Sequence, residues 1–519
     1  MLPVDLPGTV RDALLAPLVD HHCHGVRRDD LSRAQFELLS GEGGSPAPPG
    51  TTHFDTPFGA AVRRWCAPLL DLEPHAPPAV YLARRTELGA GEVNRRLLTG
   101  AGVVAFLVDA TPDTHPDTHP DNHTATYGTA HTATYGTTHT TAQTATYGTT
   151  HTDGRLAPFG GAHADGHIAP FGGAHADGHI APHGPAHATA SGAGHADLFG
   201  DAHAAIRAAR HADPDADHAD PHAAPRTDPR ADSRTDPRAD PRADSRAGFA
   251  ADLDVLTAAE MGRHGGAAAD ELVRIEHIEQ DVAATAELAV DYLDNLADEL
   301  AARAARAVGL KTVIGARCGL DFDPARPSRG AVIAAANRRL SDPKGVLTDH
   351  VLLRYLLWSA IDVARERGLP VQFHTGFGGR TGEPHRADPA RLSAFAAALQ
   401  PLGVPVILLH CYPYHRQAAH LAGVFPHVYV DVGLAPPHGT AAAARVMDEL
   451  LELAPFHKQL FSSGCRGLAE TGYLGALTYR RALAAALGAR IEAGEWSASD
   501  AARVAHMIGS GNARRIYRL

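Results

Sequence analysis

The sequence predicts an α/β fold, a parallel (β/α)8 TIM barrel, and three observations lead to this prediction. Eight apolar segments of β type alternate with segments of helical periodicity, which is typical of a parallel sheet with crossover helices. Eight is also the strand number of this barrel. Four histidines stand at the ends of three of these segments, and barrel enzymes carry their functional residues at the C-terminal ends of strands.

The predicted elements follow in chain order. The strands are Leu18–His22, Val103–Asp109, Leu272–Glu276, Leu310–Ala316, Pro370–His374, Val404–His410, Val428–Val432 and Gln459–Ser463. The helices between the later strands include Val282–Val308, Asp349–Arg367, Pro389–Leu399 and Ala441–Leu453. A last barrel helix is predicted at Leu474–Leu487, with a short helical tail from Ser499. Residues 26–100 are predicted to form a mostly helical cap after the first strand.

Residues 110–250 differ in composition from the rest of the chain. They contain 17 of the 34 histidines, lack Val, Lys and Glu, and include a twelve-residue repeat starting at Asp153, Asp165 and Asp177. So few aliphatic residues cannot form a core, so we predict a disordered low-complexity insert after the second strand. The barrel then comprises residues 1–109 and 251–519. The histidines could buffer metal, but we favour an expanded repeat tolerated in a surface loop.

Composition restricts the possible partners. A net charge of -12 and a pI near 6.3 argue against nucleic acid and anionic membranes as partners. Five cysteines without a CxxC pair fit a reducing cytosol, so a cytoplasmic protein is expected. Neither a signal peptide nor a membrane-spanning apolar segment is visible. The expected partner is a small-molecule substrate, and a homo-oligomer is left open.

The segment Asp20-His21-His22-Cys23-His24 closes the first predicted strand. Because side chains alternate along a strand, His22 and His24 should share one face, with His21 structural on the other. His374 ends the fifth strand, and three imidazoles with one open position make a catalytic zinc shell. We therefore predict one divalent transition metal ion, with zinc expected. His410, ending the sixth strand, is the candidate catalytic residue that would act on the water or polarise a carbonyl.

Other polar residues near the strand ends are candidates for substrate binding. Arg317 could bind a substrate carboxylate, whereas Glu276, Arg380 and Tyr412 are weaker candidates for the pocket rim. A carbamylated lysine bridges two metals in some barrels, which directs attention to Lys311. This lysine stands at the start of its predicted strand, away from the active face, so we interpret it as structural and favour a single metal.

Several phrases together carry a family resemblance: LVDHHCHG, RIEHIEQDV, VQFHTGFGG, LLHCYPYHRQAAHLAGVFPHVYVDVG and GNARRIYRL. They resemble the amidohydrolase superfamily, in its amidohydrolase-related (amidohydrolase 2) branch. The closest likeness is to the domain found N-terminal to glutamine synthetase-like domains in nodulin-type fusion proteins. The resemblance covers residues 16–109 and 250–519.

The resemblance implies the same site. It makes His22 and His24 the strand-1 metal ligands, His374 the strand-5 ligand and His410 the strand-6 histidine. It also implies a strand-8 aspartate that binds metal and carries the proton of the water. Gly464 stands in its place, in the phrase FSSGC. Cys465 and Asp431 are weak candidates to replace it.

Three functions are therefore kept open. The first is a metal-dependent hydrolase that cleaves a C–N or related bond in a small, polar, carboxylated substrate through metal-activated water. The second is a non-oxidative decarboxylase of the same superfamily. The third is a catalytically impaired barrel that binds metal or ligand, and the substitution at Gly464 is the reason to keep it.

Overall fold

The structure is a computed structural model that describes residues 2–41, 45–109, 254–377, 383–431, 433 and 442–519. These residues all belong to one unit of the chain, which comprises Met1–His123 and Asp240–Leu519. The predicted insert, 110–250, lies outside the described residues, so its limits remain a prediction. None of the helices within these residues combines the length and the apolar composition of a membrane-spanning segment.

The sheet has seven parallel strands that pair in the order of the sequence. They are β1 Leu18–His24, β2 Val103–Asp109, β3 Ala268–Arg274, β4 Gly309–Thr312, β5 Val371–His374, β6 Val406–Leu409 and β7 Val428–Val430. Each pairs in parallel with the next, as strands joined by crossover helices must. This sheet fits the predicted barrel.

Residues 459–467 occupy the place of the eighth strand without forming regular strand geometry. Gln459 bridges in parallel to Val430 of β7. On the other side, the N–H of Gly464 donates to the carbonyl of His22, 3.1 Å away. The N–H of Gly467 donates to the carbonyl of Gly25, also at 3.1 Å. The segment therefore connects β7 to β1, although the regular strand predicted at Gln459–Ser463 is not formed.

Helices surround the sheet. The α-helices of the described residues are Gly8–Leu15, Arg33–Ser40, Pro57–Ala61, Pro78–Gly100, Ala258–Gly265, Ile275–Ala283, Ala289–Ala304, Ile314–Cys318, Arg329–Leu340, His350–Arg367, Ser393–Leu399, His415–Val424, Ala443–Leu453, Ala469–Glu492, Ala498–His506 and Asn512–Tyr517. Local signals set their limits, as in His350–Arg367, where the Asp349 carboxylate accepts from two backbone N–H groups of the first turn. Gly368, with φ +67°, ends the same helix in a left-handed conformation.

Two predicted helical regions differ from the structure. The helix predicted at Val282–Val308 is two helices, which meet at residues 284–288, where neither glycine nor proline marks the break. The predicted cap, 26–100, begins with short helices, but its last helix, Pro78–Gly100, which is kinked at Gly89 (φ +75°), leads directly into β2 and packs on Ala469–Glu492. That last helix is therefore the crossover helix of the first β/α unit.

The barrel interior is filled by its own apolar cluster. Its members are Val19, Ala105, Leu107, Leu272, Ile407, Leu409, Leu460, Ala513, Ile516 and Tyr517. The last three belong to the helix Asn512–Tyr517, which therefore packs into the interior among strand residues. Apolar packing beneath the strand ends provides a rigid base for the polar side chains above it.

Candidate metal centre

A β-bulge in β1 directs three histidines into the barrel. Asp20 pairs with Phe106 and Cys23 pairs with Val108, so three steps along β1 match two along β2. An extra residue of this kind interrupts the alternation of side chains. His21, His22 and His24 consequently all contact residues from non-neighbouring strands. The prediction that His21 faces away from the other two was wrong, because it assumed an unbroken period of two.

Lys311 lies at the centre of this site. Its Nζ is 3.3 Å from His22 Nε2, 3.1 Å from His24 Nε2 and 3.0 Å from Asp109 Oδ2. The prediction that Lys311 lies away from the active face is therefore wrong. Its physical reason is strand length: β4 has only four residues, Gly309–Thr312, so Lys311 is next to the C-terminal end rather than the start.

Asp109 and Arg274 complete the charged part of the site and were missed by the sequence reasoning. Asp109 ends β2 and Arg274 ends β3. Asp109 Oδ2 accepts from Arg274 Nη2 at 2.6 Å and from Arg274 Nε at 3.0 Å, and the Asp109 side chain is fully buried. The sequence did contain a signal for Asp109, because this acidic residue ends the apolar segment Val103–Asp109 in the same way as the candidate histidines end theirs.

The structure brings together the four histidines predicted from the sequence. The ring centroids of His22 and His24 are 5.0 Å apart, those of His22 and His410 are 5.1 Å apart, and those of His410 and His374 are 5.0 Å apart. Burial lowers the pKa of both His22 and His410 well below its ordinary value. Both rings are therefore neutral near pH 7, which is the protonation state that binds metal.

The fit of these residues to a metal ion can be tested on the contacts of Lys311. Two imidazole Nε2 atoms converge on its Nζ, so the site already surrounds one cation, the ammonium group of this lysine. His22 Nδ1 has no hydrogen-bond partner among the described residues. Within those same residues, no three His, Cys, Asp or Glu side chains are arranged as metal ligands. His22 Nε2 and His24 Nε2 are the type of donor that a divalent transition metal takes, and Lys311 Nζ occupies the space between them.

The candidate substrate residues are placed differently from one another. Arg317 lies half-buried in the helix Ile314–Cys318, with neither a hydrogen bond nor an ion pair to the described residues. The sequence predicted Glu276 at the end of the third strand, but in the structure it lies in the helix Ile275–Ala283. Its Oε1 accepts from Thr312 Oγ1 and Val313 N, its Oε2 has no partner among the described residues, and burial raises its pKa. Arg380 lies outside the described residues.

Tyr412 lies in the loop after His410, half-buried. Its ring stacks on His415, with centroids 5.9 Å apart, and meets the edge of Phe377 at 6.3 Å. Phe377 follows His374 by three residues, so Tyr412 connects the loops that follow β5 and β6. This position suits a residue that contacts substrate.

The two candidates for replacing the strand-8 aspartate have other contacts. Asp431 Oδ2 lies 2.9 Å from His21 Nε2, and its Oδ1 accepts from His410 N and Ser462 Oγ. The Cys465 thiol donates to the carbonyl of Leu468, and burial raises the pKa of this thiol. Neither side chain is directed to Lys311, so Asp109 is the carboxylate that contacts the centre of the site.

Comparisons with known proteins agree with this fold. A crystal structure described as a metal-dependent hydrolase from Lactobacillus casei ATCC 334 superposes with a TM-score of 0.63 at 17% identity, covering 99% of this chain and 98% of that one. Uronate isomerase from Thermotoga maritima gives a TM-score of 0.38 at 14% identity over 50% of this chain and 65% of that one. The likeness to the first shows a shared fold.

Sequence comparisons give the family. Protein fluG of Emericella nidulans is 30% identical over 225 residues, which is 41% of this chain and 26% of that protein. The chain therefore matches about a quarter of the length of this relative. A family model described as amidohydrolase matches residues 164–519, which include Lys311, His374 and His410 but begin after His22 and His24. That match spans more than half of the chain, so this protein belongs to the amidohydrolase family.

Proposed function

We propose that this protein is a metal-dependent hydrolase that cleaves a C–N or related bond in a small, polar, carboxylated substrate. The observation that supports it best is the convergence of His22, His24, His374 and His410, each ring within about 5 Å of another, with His22 and His24 also in contact with the buried Lys311. Family membership supports a hydrolase and a divalent metal. The closer kinship with the nodulin-type subgroup remains a prediction.

Each residue has a role in this proposal. His22, His24 and His374 hold the metal, for which zinc is the expected ion because imidazole ligands suit it. The metal supplies activation of a water molecule for hydrolysis. His410, whose ring lies about 5 Å from those of His22 and His374, would be placed to accept a proton from the attacking water. Arg317, half-buried and without an ion pair among the described residues, binds the substrate carboxylate.

The position of Lys311 supports a variant of this proposal with two metal ions. An ammonium group beside two metal ligands would repel a divalent cation. Addition of carbon dioxide to the neutral amine of Lys311 forms a C–N bond and releases one proton, which yields an anionic carbamate. Such a carbamate would supply anionic oxygen donors beside His22 and His24, and these residues would help to hold a second ion. In the one-metal version, Lys311 instead moves aside or loses its proton.

The first experiment measures bound metal by mass spectrometry after zinc loading and dialysis. The histidines of the insert can bind metal too, so full-length wild type is compared with full-length His22→Ala. His506→Ala is the matched control, because His506 is exposed on the helix Ala498–His506. Wild type and the control should hold at least one more zinc per chain than His22→Ala. Equal metal content in all three would show that the site assignment is wrong.

The second experiment distinguishes one metal from two. Lys311→Met keeps the length of the side chain but cannot form a carbamate. If two ions bind, Lys311→Met should lose metal, and wild type should lose it when bicarbonate is removed. If one ion binds, neither change should reduce the metal content. A site that binds metal but neither hydrolyses amides and related esters nor decarboxylates aromatic or unsaturated acids in a broad screen would favour the impaired barrel, and Gly464 would then be the first position to change.

A further inference from the structure

A fully buried chain of hydrogen bonds runs from the C-terminal helix to the backbone of His410. Tyr517 Oη lies 3.1 Å from His21 Nδ1, and His21 Nε2 lies 2.9 Å from Asp431 Oδ2. Asp431 Oδ1 in turn accepts from the backbone N–H of His410 at 3.3 Å. These side chains are at most 4% exposed, so water does not compete for the bonds.

If the ring of His21 is neutral, the donors and acceptors of this hydrogen-bond chain can be matched in only one way. The Asp431 carboxylate is an acceptor, so His21 Nε2 carries the proton and His21 Nδ1 accepts. Tyr517 must then donate its hydroxyl proton to His21 Nδ1. Gln372 Nε2 donates to Tyr517 Oη at 2.6 Å and to the His21 carbonyl at 2.9 Å. The Asp431 carboxylate therefore fixes the proton on His21 Nε2, and the hydroxyl of Tyr517 satisfies the other ring nitrogen.

His410, at the other end of this hydrogen-bond chain, has an uncommon backbone conformation. His410 has φ +68°, a left-handed value that is unfavourable for a residue with a side chain. Such a conformation persists only when the surroundings hold it. Asp431 provides this hold through the N–H of His410, and the ring of His410 then lies against the rings of His22 and His374.

We infer that Tyr517, His21 and Asp431 are positioning residues for the metal centre, acting through the backbone of His410 and through the β1 segment that carries His22. Gln372 extends this support to β5, two residues before His374. The inference rests on the proposed function and deepens it, because it assigns a role in the site to a residue of the C-terminal helix. None of the three positioning residues contacts the Lys311 ammonium directly.

The test compares Tyr517→Phe with Tyr479→Phe in the full chain. Both variants remove one buried tyrosine hydroxyl, but that of Tyr479 has no hydrogen-bond partner among the described residues. Zinc affinity at the site is obtained by titration, with His22→Ala defining the background from the insert. Tyr517→Phe should weaken zinc binding by about 10-fold or more, the usual cost of losing an outer-shell partner, whereas Tyr479→Phe should not.

Proton NMR of the metal-free protein gives a readout independent of metal. The hydrogen-bonded ring proton of His21 and the ring protons of His410 should shift in Tyr517→Phe and remain in place in Tyr479→Phe. Assignments come from His21→Gln and His410→Gln. If Tyr517→Phe does not fold, Gln372→Met removes the donor to the same hydroxyl at similar size and serves instead.

The outcomes separate this inference from the proposed function. If wild type binds zinc above the background and Tyr517→Phe binds it equally well, the positioning role is overturned and the function stands. If both tyrosine variants lose affinity alike, the effect is general and the role is also overturned. If wild type binds no zinc above the background, the proposed function fails. The NMR shifts of His410 then decide the positioning role alone.

Discussion

Gly464 combines a left-handed backbone conformation with a place beside His22, one of the proposed metal ligands. Its φ is +59°, and its N–H donates to the carbonyl of His22 at 3.1 Å. Glycine adopts this left-handed conformation without the steric penalty of a Cβ, whereas aspartate is among the more tolerant of the other residues. A side chain at position 464 would therefore start next to β1, at the strand ends where the histidines lie.

Gly464→Asp should bind zinc more tightly than wild type, because it adds a carboxylate near His22. It should also lose about 1–3 kcal/mol of stability from the left-handed backbone. Gly464→Ala is the matched control, since it bears a similar backbone penalty without a carboxylate. Zinc titration and chemical denaturation measure the two effects. Equal zinc affinity in the aspartate and alanine variants would show that position 464 does not face the metal.

His427 gives a prediction about pH. It is 6% exposed, and burial lowers its pKa, with the nearby Lys458 lowering it further. The unfolded chain therefore binds a proton on this residue more readily than the folded protein does. The free energy of unfolding should fall as pH drops through 6.5, by about 1.4 kcal/mol for each unit of pKa depression.

His427→Leu should remove this part of the acid sensitivity. Chemical denaturation at pH 7.5 and pH 5 gives the free energy of unfolding of wild type and of His427→Leu. Between pH 7.5 and pH 5, this free energy should fall less in His427→Leu than in wild type. The depressed pKa values of His22 and His410 are common to both proteins and cancel. A difference that does not depend on pH would mean that His427 is protonated equally in the folded and unfolded states.

At the scale of the elements, a buried ion pair joins two long helices. Arg85 in Pro78–Gly100 donates from Nε to Glu470 in Ala469–Glu492 at 2.8 Å, and Tyr81 Oη donates to the same carboxylate at 2.8 Å. Arg85 is 5% exposed and Glu470 is fully buried. Removing one charge from such a pair leaves the other buried and uncompensated.

Glu470→Gln should therefore lower the free energy of unfolding by about 3–5 kcal/mol. Glu383→Gln is the control, because Glu383 pairs with Arg386 at 3.0 Å with the two side chains 57% and 41% exposed, and such pairs contribute about 0–1 kcal/mol. The double variant Arg85→Met with Glu470→Met should regain part of the loss by restoring apolar packing. Equal effects of the two glutamine variants in chemical denaturation would contradict a buried pair at Glu470.

At the scale of the whole molecule, the site joins parts of the chain that are far apart in sequence. His24 is on β1, Lys311 on β4, His374 on β5, and His410 follows β6. A ligand that binds only the folded protein stabilises it by mass action. A metal held by β1 and β5 would therefore stabilise the barrel as a whole and not one element of it.

Zinc should accordingly raise the free energy of unfolding, by about 2.7 kcal/mol at a free concentration a hundred times Kd. Thermal melts with zinc and with a chelator measure the effect on full-length wild type. His22→Ala should show little of this shift, because only the insert histidines and an incomplete site remain to bind zinc. A shift as large in His22→Ala as in wild type would place the stabilising ion elsewhere.

Local periodicity by itself determined the order of strands and helices, because side-chain directions repeat every 2 residues in a strand and every 3.6 in a helix. It also placed His22, His24, His374 and His410 at strand ends. Tertiary structure decided the rest. The bulge that turns His21 inward appears only in the register of β1 against β2. The contacts of Lys311 with His22, His24 and Asp109 join residues more than 200 positions apart. Such contacts depend on strand length, register and barrel closure, which arise from pairing between distant segments and leave no local pattern in the sequence.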